Sequence, residues 1–342
     1  MKVDGSFGEG GGQILRTSTA LGALLNEPIE IYNVRINRPK PGLAHQHLAG
    51  IKALQDMVDG KTMGAEIGST KVGFYPGRLG AGTYIVDTKT AGSITLILQS
   101  LLIPGIFSRD RVELDVRGGT DVRWSPPIDY VKHVFLPILK KMGVNADVEI
   151  IKRGYYPKGN GRVIVNISPV ERLRPLKVTK RGDFTGMRGQ SHSLNLPSHV
   201  VDRMANSAKD TCRCSVNLEC GEGISTGCGI VLWAEFQNSV LGASALGAPG
   251  KPAEKVGKEA AKGLLREIEG RATFDRFMGD QIIPYMGLAD GKSRITVKKL
   301  TGHILTNIHV VEKILGIKYD IVEKEGLCLI KTEGTGFVNE TI

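Results

Sequence analysis

Apolar residues along the chain follow two alternating periods. GQILRTSTALGALLN sets Ile14, Leu21 and Leu25 on one helical stripe, PIEIYNVRI reads as a strand, LAHQHLAGIKALQDMVDG as a second helix and AEIGSTKVGFYPG as a hairpin. The same order returns in SITLILQSLLIPGIF, RVELDVRGG, PIDYVKHVFLPILKKMG and VNADVEIIKRGYYPKGNGRVIVNISP, where KGNG supplies a turn tolerant of positive φ. It returns again in FDRFMGDQIIPYMGLAD, SRITVKKL, GHILTNIHVVEKILG and KYDIVEKEGLCLIKTEG. Residues 181–272 break this rhythm with a helix in PSHVVDRMANSAKD, strands in CSVNLEC and CGIVLWAEF, and a helix in KVGKEAAKGLLREIEG. The expected architecture is α+β. Residues 1–180 carry repeats one and two, 181–272 form an inserted small α/β domain, and 273–342 carry repeat three; each repeat is a sheet covered on one face by a helix pair, all packed around a common centre.

Length changes this picture little, since 342 residues exceed what one core usually fills, about 250–300. With 41% hydrophobic residues and no apolar run near the roughly 20 needed to cross a bilayer, a soluble globular protein without a membrane partner is expected. MKVDGSFGEGGG has no apolar signal core, so the expected location is cytoplasmic. Charge adds more: 45 basic against 35 acidic residues give +10, spread through folded segments, which favours a polyanionic partner such as nucleic acid. Cys212, Cys214, Cys220 and Cys228 are spaced C-x-C-x5-C-x7-C, unlike the paired C-x2-C knuckle of a zinc site. Buried thiols, or a Cys212–Cys214 bridge across one strand face, remain as the alternatives.

Two glycine motifs carry no nucleotide signature. GLADGKS, Gly287 to Ser293, is one residue short of a P-loop, and the glycines from Gly8 lack the third position of G-x-G-x-x-G. DGSFGEGGGQI instead opens directly into a helix near Gly12, presenting free backbone N–H groups and a positive dipole end suited to phosphate. Gln13 and Arg16, three residues apart, add donors on one face. Glu9 alone would repel phosphate, so it makes sense with a divalent cation bridging the two; a tight turn with a solvated glutamate is the alternative. In VRINRPKPGLAHQHLAG, Arg35, Arg38 and Lys40 precede a helix bearing His45, Gln46 and His47, a set able to grip a phosphorylated polymer end or to be a solvated basic loop. In TGHILTNIHVVEKILG the stripe Ile304, Ile308, Val311, Leu315 docks the helix, while His303, Thr306 and Asn307 share a neighbouring face. A first-turn histidine is held neutral by the helix dipole and therefore nucleophilic; His309 reads as ordinary surface.

DGSFGEGGGQILRTS, RINRPKPGLAHQH, RGGTDVRWSPP and GHILTN together resemble the RNA 3'-terminal phosphate cyclase family over essentially the whole chain. The resemblance implies three repeats of a β-α-β-α-β-β unit, like the C-terminal domain of translation initiation factor three and the enolpyruvyl transferases, plus a small insert. It implies ATP-dependent closure of an RNA 3'-phosphate to a 2',3'-cyclic phosphodiester through a histidine adenylate, with AMP and pyrophosphate released. His303 matches the adenylylated residue, and Glu9 the carboxylate that holds Mg2+ or Mn2+ with ATP. Gln13, Arg16, Gln99, Pro126, Phe277, Asp280 and Gln281 match the nucleotide site, with Pro126 and Phe277 placed to sandwich adenine. Phe277 departs from the tyrosine of relatives. Arg35, Arg38, Gln46 and His47 match the RNA-end site. The implied partners are ATP and RNA with a 3'-terminal phosphate, and a homodimer is compatible with the resemblance. Two other readings share these features: a non-catalytic cyclase-like factor in ribosomal RNA processing, and an enolpyruvyl-type transferase.

Overall fold

The computed structural model describes residues 1–341. The first unit runs β1 (Lys2–Asp4), α1 (Gly12–Leu25), β2 (Ile29–Tyr32), α2 (His45–Met57), β3 (Lys61–Met63) and β4 (Val72–Tyr75). The second runs β5 (Gly82–Asp87), α3 (Ile94–Gly105), β6 (Val112–Gly118), then α4 (Ile128–Tyr130) continuing through a π-helical turn at Val131–Phe135 into α5 (Leu136–Lys141), and ends with β7 (Asn145–Lys152) and β8 (Gly161–Ser168). The wider turn falls just before Pro137, which has no N–H to give to the preceding turn.

A third unit opens with the two-residue strand β9 (Lys177–Val178) and is interrupted by β10 (Phe184–Leu194), α6 (His199–Cys212), β11 (Ser215–Gly221), β12 (Gly227–Phe236), β13 (Val240–Leu246) and α7 (Ala253–Glu269). It resumes with α8 (Arg276–Gln281), α9 (Ile283–Leu288), β14 (Lys292–Val297), α10 (Gly302–Leu315), β15 (Tyr319–Lys324) and β16 (Leu327–Glu333).

Strand order shows the repeat directly. The sheets β1-β2-β4-β3, β5-β6-β8-β7 and β9-β14-β16-β15 each place the unit's first strand beside its second, then its fourth, then its third. In each the first pair is parallel and the others antiparallel, as a βαβ crossover followed by a hairpin requires. The α+β expectation and the β-α-β-α-β-β unit therefore stand, with the third unit's opening strand lying ahead of the insert. α1 sits at the centre, packed against α2, α3 and α10 and buried on almost every side from Gln13 to Leu24.

The inserted elements have a core of their own, built from Val201, Met204 and Ala208 on α6, Ile230 and Leu232 on β12, and Val256, Ala260 and Leu264 on α7. At Gly257 a side chain would meet Met204 carbonyl oxygen at 2.0 Å, so the two helices touch backbone to backbone. Of the two readings of Cys212 and Cys214, buried free thiols hold and the bridge across a strand face does not: Cys212 ends α6, Arg213 turns left-handed at φ 51, and all five cysteines are free.

Arg181 closes the insert's entrance on its exit. Its Nε donates to Ala272 carbonyl at 2.6 Å, and Nη1 and Nη2 donate to Ile268 and Glu267 carbonyls at 2.7 and 2.8 Å, capping the orphan acceptors at the end of α7. Arg181→Ala should lower unfolding free energy by about 1–3 kcal/mol in denaturant titration. An unchanged midpoint would show that the clamp carries no stability.

Candidate active site

α10 begins sharply. Thr301 Oγ1 accepts from Ile304 N–H at 3.2 Å, and Gly302 and His303 form the first turn. The glycine-rich loop between β1 and α1 lies across this helix start. Phe7 stacks on His309 at 3.7 Å between ring centroids, so His309 anchors the loop rather than serving as bare surface. Gly8 has φ +57, and a Cβ there would stand 2.4 Å from Thr306 Oγ1; a Cβ on Gly302 would stand 2.7 Å from Glu9 Oε1. Glycine is needed at both places because the loop and the helix meet without room for a side chain.

The seat so formed brings together residues from opposite ends of the chain. Gln13 Nε2 donates to His303 carbonyl at 3.1 Å, and Gln13 Oε1 lies 2.8 Å from His303 Nδ1. One amide orientation satisfies both contacts, and it requires Nδ1 to carry the proton. Nε2 then holds the free lone pair, 3.3 Å from Glu9 Oε2. Burial lowers the His303 pKa below its ordinary value; Glu9 opposes the shift, while Arg16 and Arg38 add to it. Asn307 braces the same corner, with Oδ1 accepting from Thr17 Oγ1 at 2.8 Å and Nδ2 donating to Asp280 carbonyl at 2.7 Å.

His303 stands beside a cleft of about 370 Å³ whose lining includes Gln13, Arg16, Gln99, Pro126, Phe277, Asp280 and Gln281, within the size range of small-molecule sites. Arg16 Nε donates to Gln99 Oε1 at 3.2 Å. Burial pulls the Arg16 pKa down to about 10, against the attraction of Asp280, and pushes the Asp280 carboxyl up to about 8, against the attraction of Arg16. Burial thus favours the neutral form of each group, and the opposite charge of its partner works against that shift. Gln281 Nε2 bonds back to Phe277 carbonyl at 2.8 Å, and the exposed Phe277 ring stands edge-on to Tyr130 at 6.1 Å.

The second predicted group lies outside this cleft. Arg38 Nη2 reaches Glu9 Oε2 at 3.8 Å and borders the seat. Arg35, at φ 52, donates to Gly42 carbonyl at 2.7 Å and closes its own loop. Gln46 Oε1 accepts from Ser93 N–H at 3.1 Å. His47 is buried, with its pKa pushed down to about 3 by desolvation and then by Arg16 and Arg35. Its Nδ1 accepts from Ala44 N–H at 3.1 Å, and a Cβ on Gly12 would stand 2.2 Å from its Nε2. His47 therefore caps α2 and supports the start of α1.

For a hard divalent cation the donor set fits through one carboxylate. Glu9 offers oxygen beside His303, and Asp280, shifted by burial toward its neutral form and facing Arg16, is the weaker donor, so phosphate and water would fill the remaining positions. A buried trio elsewhere, Asp121, Asp129 and His192, already holds a cation: Arg153 Nη1 lies 2.7 Å from Asp129 Oδ2 and 3.2 Å from Asp121 Oδ2.

Sequence reasoning missed Asp275, the cap of α8. Its Oδ1 accepts from Tyr130 Oη at 2.7 Å and from Phe277 and Met278 N–H at 2.9 Å, while Oδ2 accepts from Gly242 N–H at 2.8 Å. Aspartate just before a helical segment was the available signal. Trp124 was missed as well; it lines the cleft from inside the quoted motif RGGTDVRWSPP.

Comparison with known proteins identifies a family for the chain. The family profile described as RNA 3'-terminal phosphate cyclase matches residues 7–321. Proteins of that name are similar over nearly their full length. The one from Methanopyrus kandleri is 45% identical over 95% of this chain and 96% of its own. That from Thermococcus onnurineus is 46% identical over 95% and 96%, and that from Pyrobaculum aerophilum 42% identical over 98% and 99%. A solved EPSP synthase from Acinetobacter baumannii covers 94% of this chain and 62% of its own at 12% identity with a TM-score of 0.31, too loose to carry a fold argument. With the repeated sheets, the histidine seat and a profile spanning all three units, the chain belongs to the RNA 3'-terminal phosphate cyclase family.

Proposed function

We propose that this chain is an ATP-dependent RNA 3'-phosphate cyclase in which His303 carries AMP. The observation behind the reading is the Gln13 amide on His303, which fixes the proton on Nδ1 and leaves Nε2 unprotonated beside Glu9. Nε2 attacks the α-phosphorus of ATP; a P–N bond forms, the bond to the β-phosphate oxygen breaks, and pyrophosphate leaves. The 3'-phosphate of RNA then displaces His303, giving an RNA adenylate and restoring the imidazole. The vicinal 2'-hydroxyl attacks the activated phosphate, closing the ring with release of AMP and loss of the hydroxyl proton.

Each group has a physical task in this scheme. Arg16 and Gln99 orient anionic oxygens in the cleft, and Pro126 and Phe277 offer apolar faces to the base. A Mg2+ or Mn2+ ion held by Glu9 would supply positive charge to the departing pyrophosphate. Arg38 borders the seat from the side of the basic loop and meets the RNA terminal phosphate; Arg35, Gln46 and His47 hold that loop and α2 in place. The net charge of +10 suits a polyanionic substrate. We place the reaction in the cytoplasm, where five free thiols stay reduced; among the described residues no helix is long and apolar enough to cross a membrane.

With α-labelled ATP and a divalent metal, the wild-type chain should form an acid-labile covalent AMP adduct mapping to His303, and His303→Ala should form none. Absence of the wild-type adduct, or its persistence in the variant, refutes the scheme. Glu9→Ala should slow metal-dependent adduct formation on the order of 10²-fold while the far-ultraviolet spectrum stays native; undiminished rate would leave the glycine loop as a structural turn only.

The pH profile gives a separate check. Because the His303 pKa is lowered, the neutral nucleophile persists below pH 6.5, and the single-turnover rate should decline only beneath that value. Glu9 favours the protonated ring, so Glu9→Gln should move the acid limb further down, whatever the loss in overall rate. An upward shift would mean that Glu9 does not face the imidazole in solution.

A further inference from the structure

A second cleft, of about 950 Å³, runs between the second unit and the insert. One wall is Tyr155, Tyr156 and Pro157, from the connection of β7 to β8; the other includes Ile224 and Ser225 from the connection of β11 to β12. It borders the His303 cleft, since Trp124 lines both.

The exposed surface here is not ordinary scatter. Trp124 is 95% exposed at φ +64, a left-handed conformation that costs a tryptophan free energy and is matched here by no burial. Tyr156 is 76% exposed and Ile224 51%. Arg123 and Lys158, both exposed, flank the two aromatic residues in sequence, and Lys158 N–H donates to Ser225 Oγ at 3.1 Å across the cleft. Of the acidic groups nearby, Asp121 and Glu219 are held by Arg153 at 3.2 Å and 2.8 Å, while Glu222 is exposed on the connection that forms the far wall. Flat aromatic faces interleaved with exposed cations form the kind of surface that single-stranded nucleic acid binds, bases stacking and phosphates meeting the charges.

We propose that this cleft holds the nucleotides that precede the 3'-terminal phosphate, with Trp124 and Tyr156 stacking on bases, Arg123 and Lys158 meeting phosphates, and the insert supplying the far wall. The inference rests on the proposed cyclase reading and extends it: the insert becomes part of substrate binding, and recognition tolerates any base because every base offers a π face.

The test measures binding of the full chain to 3'-phosphorylated oligoribonucleotides from two to eight nucleotides by fluorescence anisotropy, beside adduct formation with ATP alone. Wild-type affinity should rise with length over the first few nucleotides, and Tyr156→Ala should weaken binding of the octamer by roughly 5- to 150-fold while binding the dinucleotide nearly as wild type does. Titration with the octamer should quench the exposed Trp124 fluorescence, a change lost in Trp124→Phe, where buried Trp233 is the remaining tryptophan. Affinity independent of length, or a Tyr156→Ala chain that holds the octamer as tightly as wild type, overturns the cleft and leaves the histidine adenylate untouched. Failure of wild type to form the adduct overturns the cyclase reading instead.

Discussion

One side-chain amide joins the ends of this molecule. Gln13 lies in the first turn of α1 and His303 in the first turn of α10, and the two contacts between them, 3.1 Å to the carbonyl and 2.8 Å to Nδ1, bridge 290 positions of sequence. Chain entropy opposes such a meeting, and the pair forms because α1 is already enclosed by helices from all three units. Once formed, it determines chemistry: the imidazole has one tautomer, one orientation and one free nitrogen. The backbone geometry of the glycine loop serves that same nitrogen, since Gly8 and Gly302 allow Glu9 to lie over the helix start, 3.3 Å from Nε2.

The electrostatics of the cleft follow from burial acting in opposite directions on the two charge types. Desolvation disfavours the charged form of every group there, lowering Arg16 and His303 and raising Asp280. The outcome is a neutral nucleophile, one cation and a carboxyl group that adds little negative charge near pH 7. An anionic ligand thus meets the Arg16 guanidinium in the cleft, while the Glu9 carboxylate stands beside His303, where a cation can bridge it to phosphate. Had Asp280 been solvated, two carboxylates would face the incoming phosphates and the repulsion would have to be offset elsewhere.

Much of this was legible in the sequence, for identifiable reasons. The repeats announce themselves because their helices keep a 3.6 period and their hairpins carry turn residues, and the strand order repeats as that pattern implies. The three-residue spacing of Gln13 and Arg16 put both in the cleft, since i and i+3 share a helix face. What failed depended on contacts without local period. β9 is two residues long and is defined only by pairing Lys177 with Arg294 and Val178 with Ile295, far along the chain. His47 carries the same polar type as a ligand-binding histidine, yet its ring caps its own helix and packs under Gly12. The strand face that would have allowed a Cys212–Cys214 bridge, the lesser alternative to buried thiols, is absent because α6 runs through Cys212 and a left-handed Arg213 separates the two.

The position of the insert follows from the same logic of tethering. It interrupts the third unit between β9 and α8, so its entrance and exit must lie together, and Arg181 binds them by capping the last carbonyls of α7. Its far side is fixed by two polar links, one through a buried carboxylate and one through a buried guanidinium. Asp275 joins α4, β13 and α8 through Tyr130, Gly242 and its own helix start, and Arg153 joins the second unit to Glu219 on β11. Removing Arg153 would leave Asp121 and Asp129 buried side by side without their cation, a larger loss than an apolar contact of equal area would give. An insert free to swing would need only the first tether. Fastened at both ends, it presents a fixed wall to the second unit, and Trp124 stands between the space they enclose and the histidine cleft.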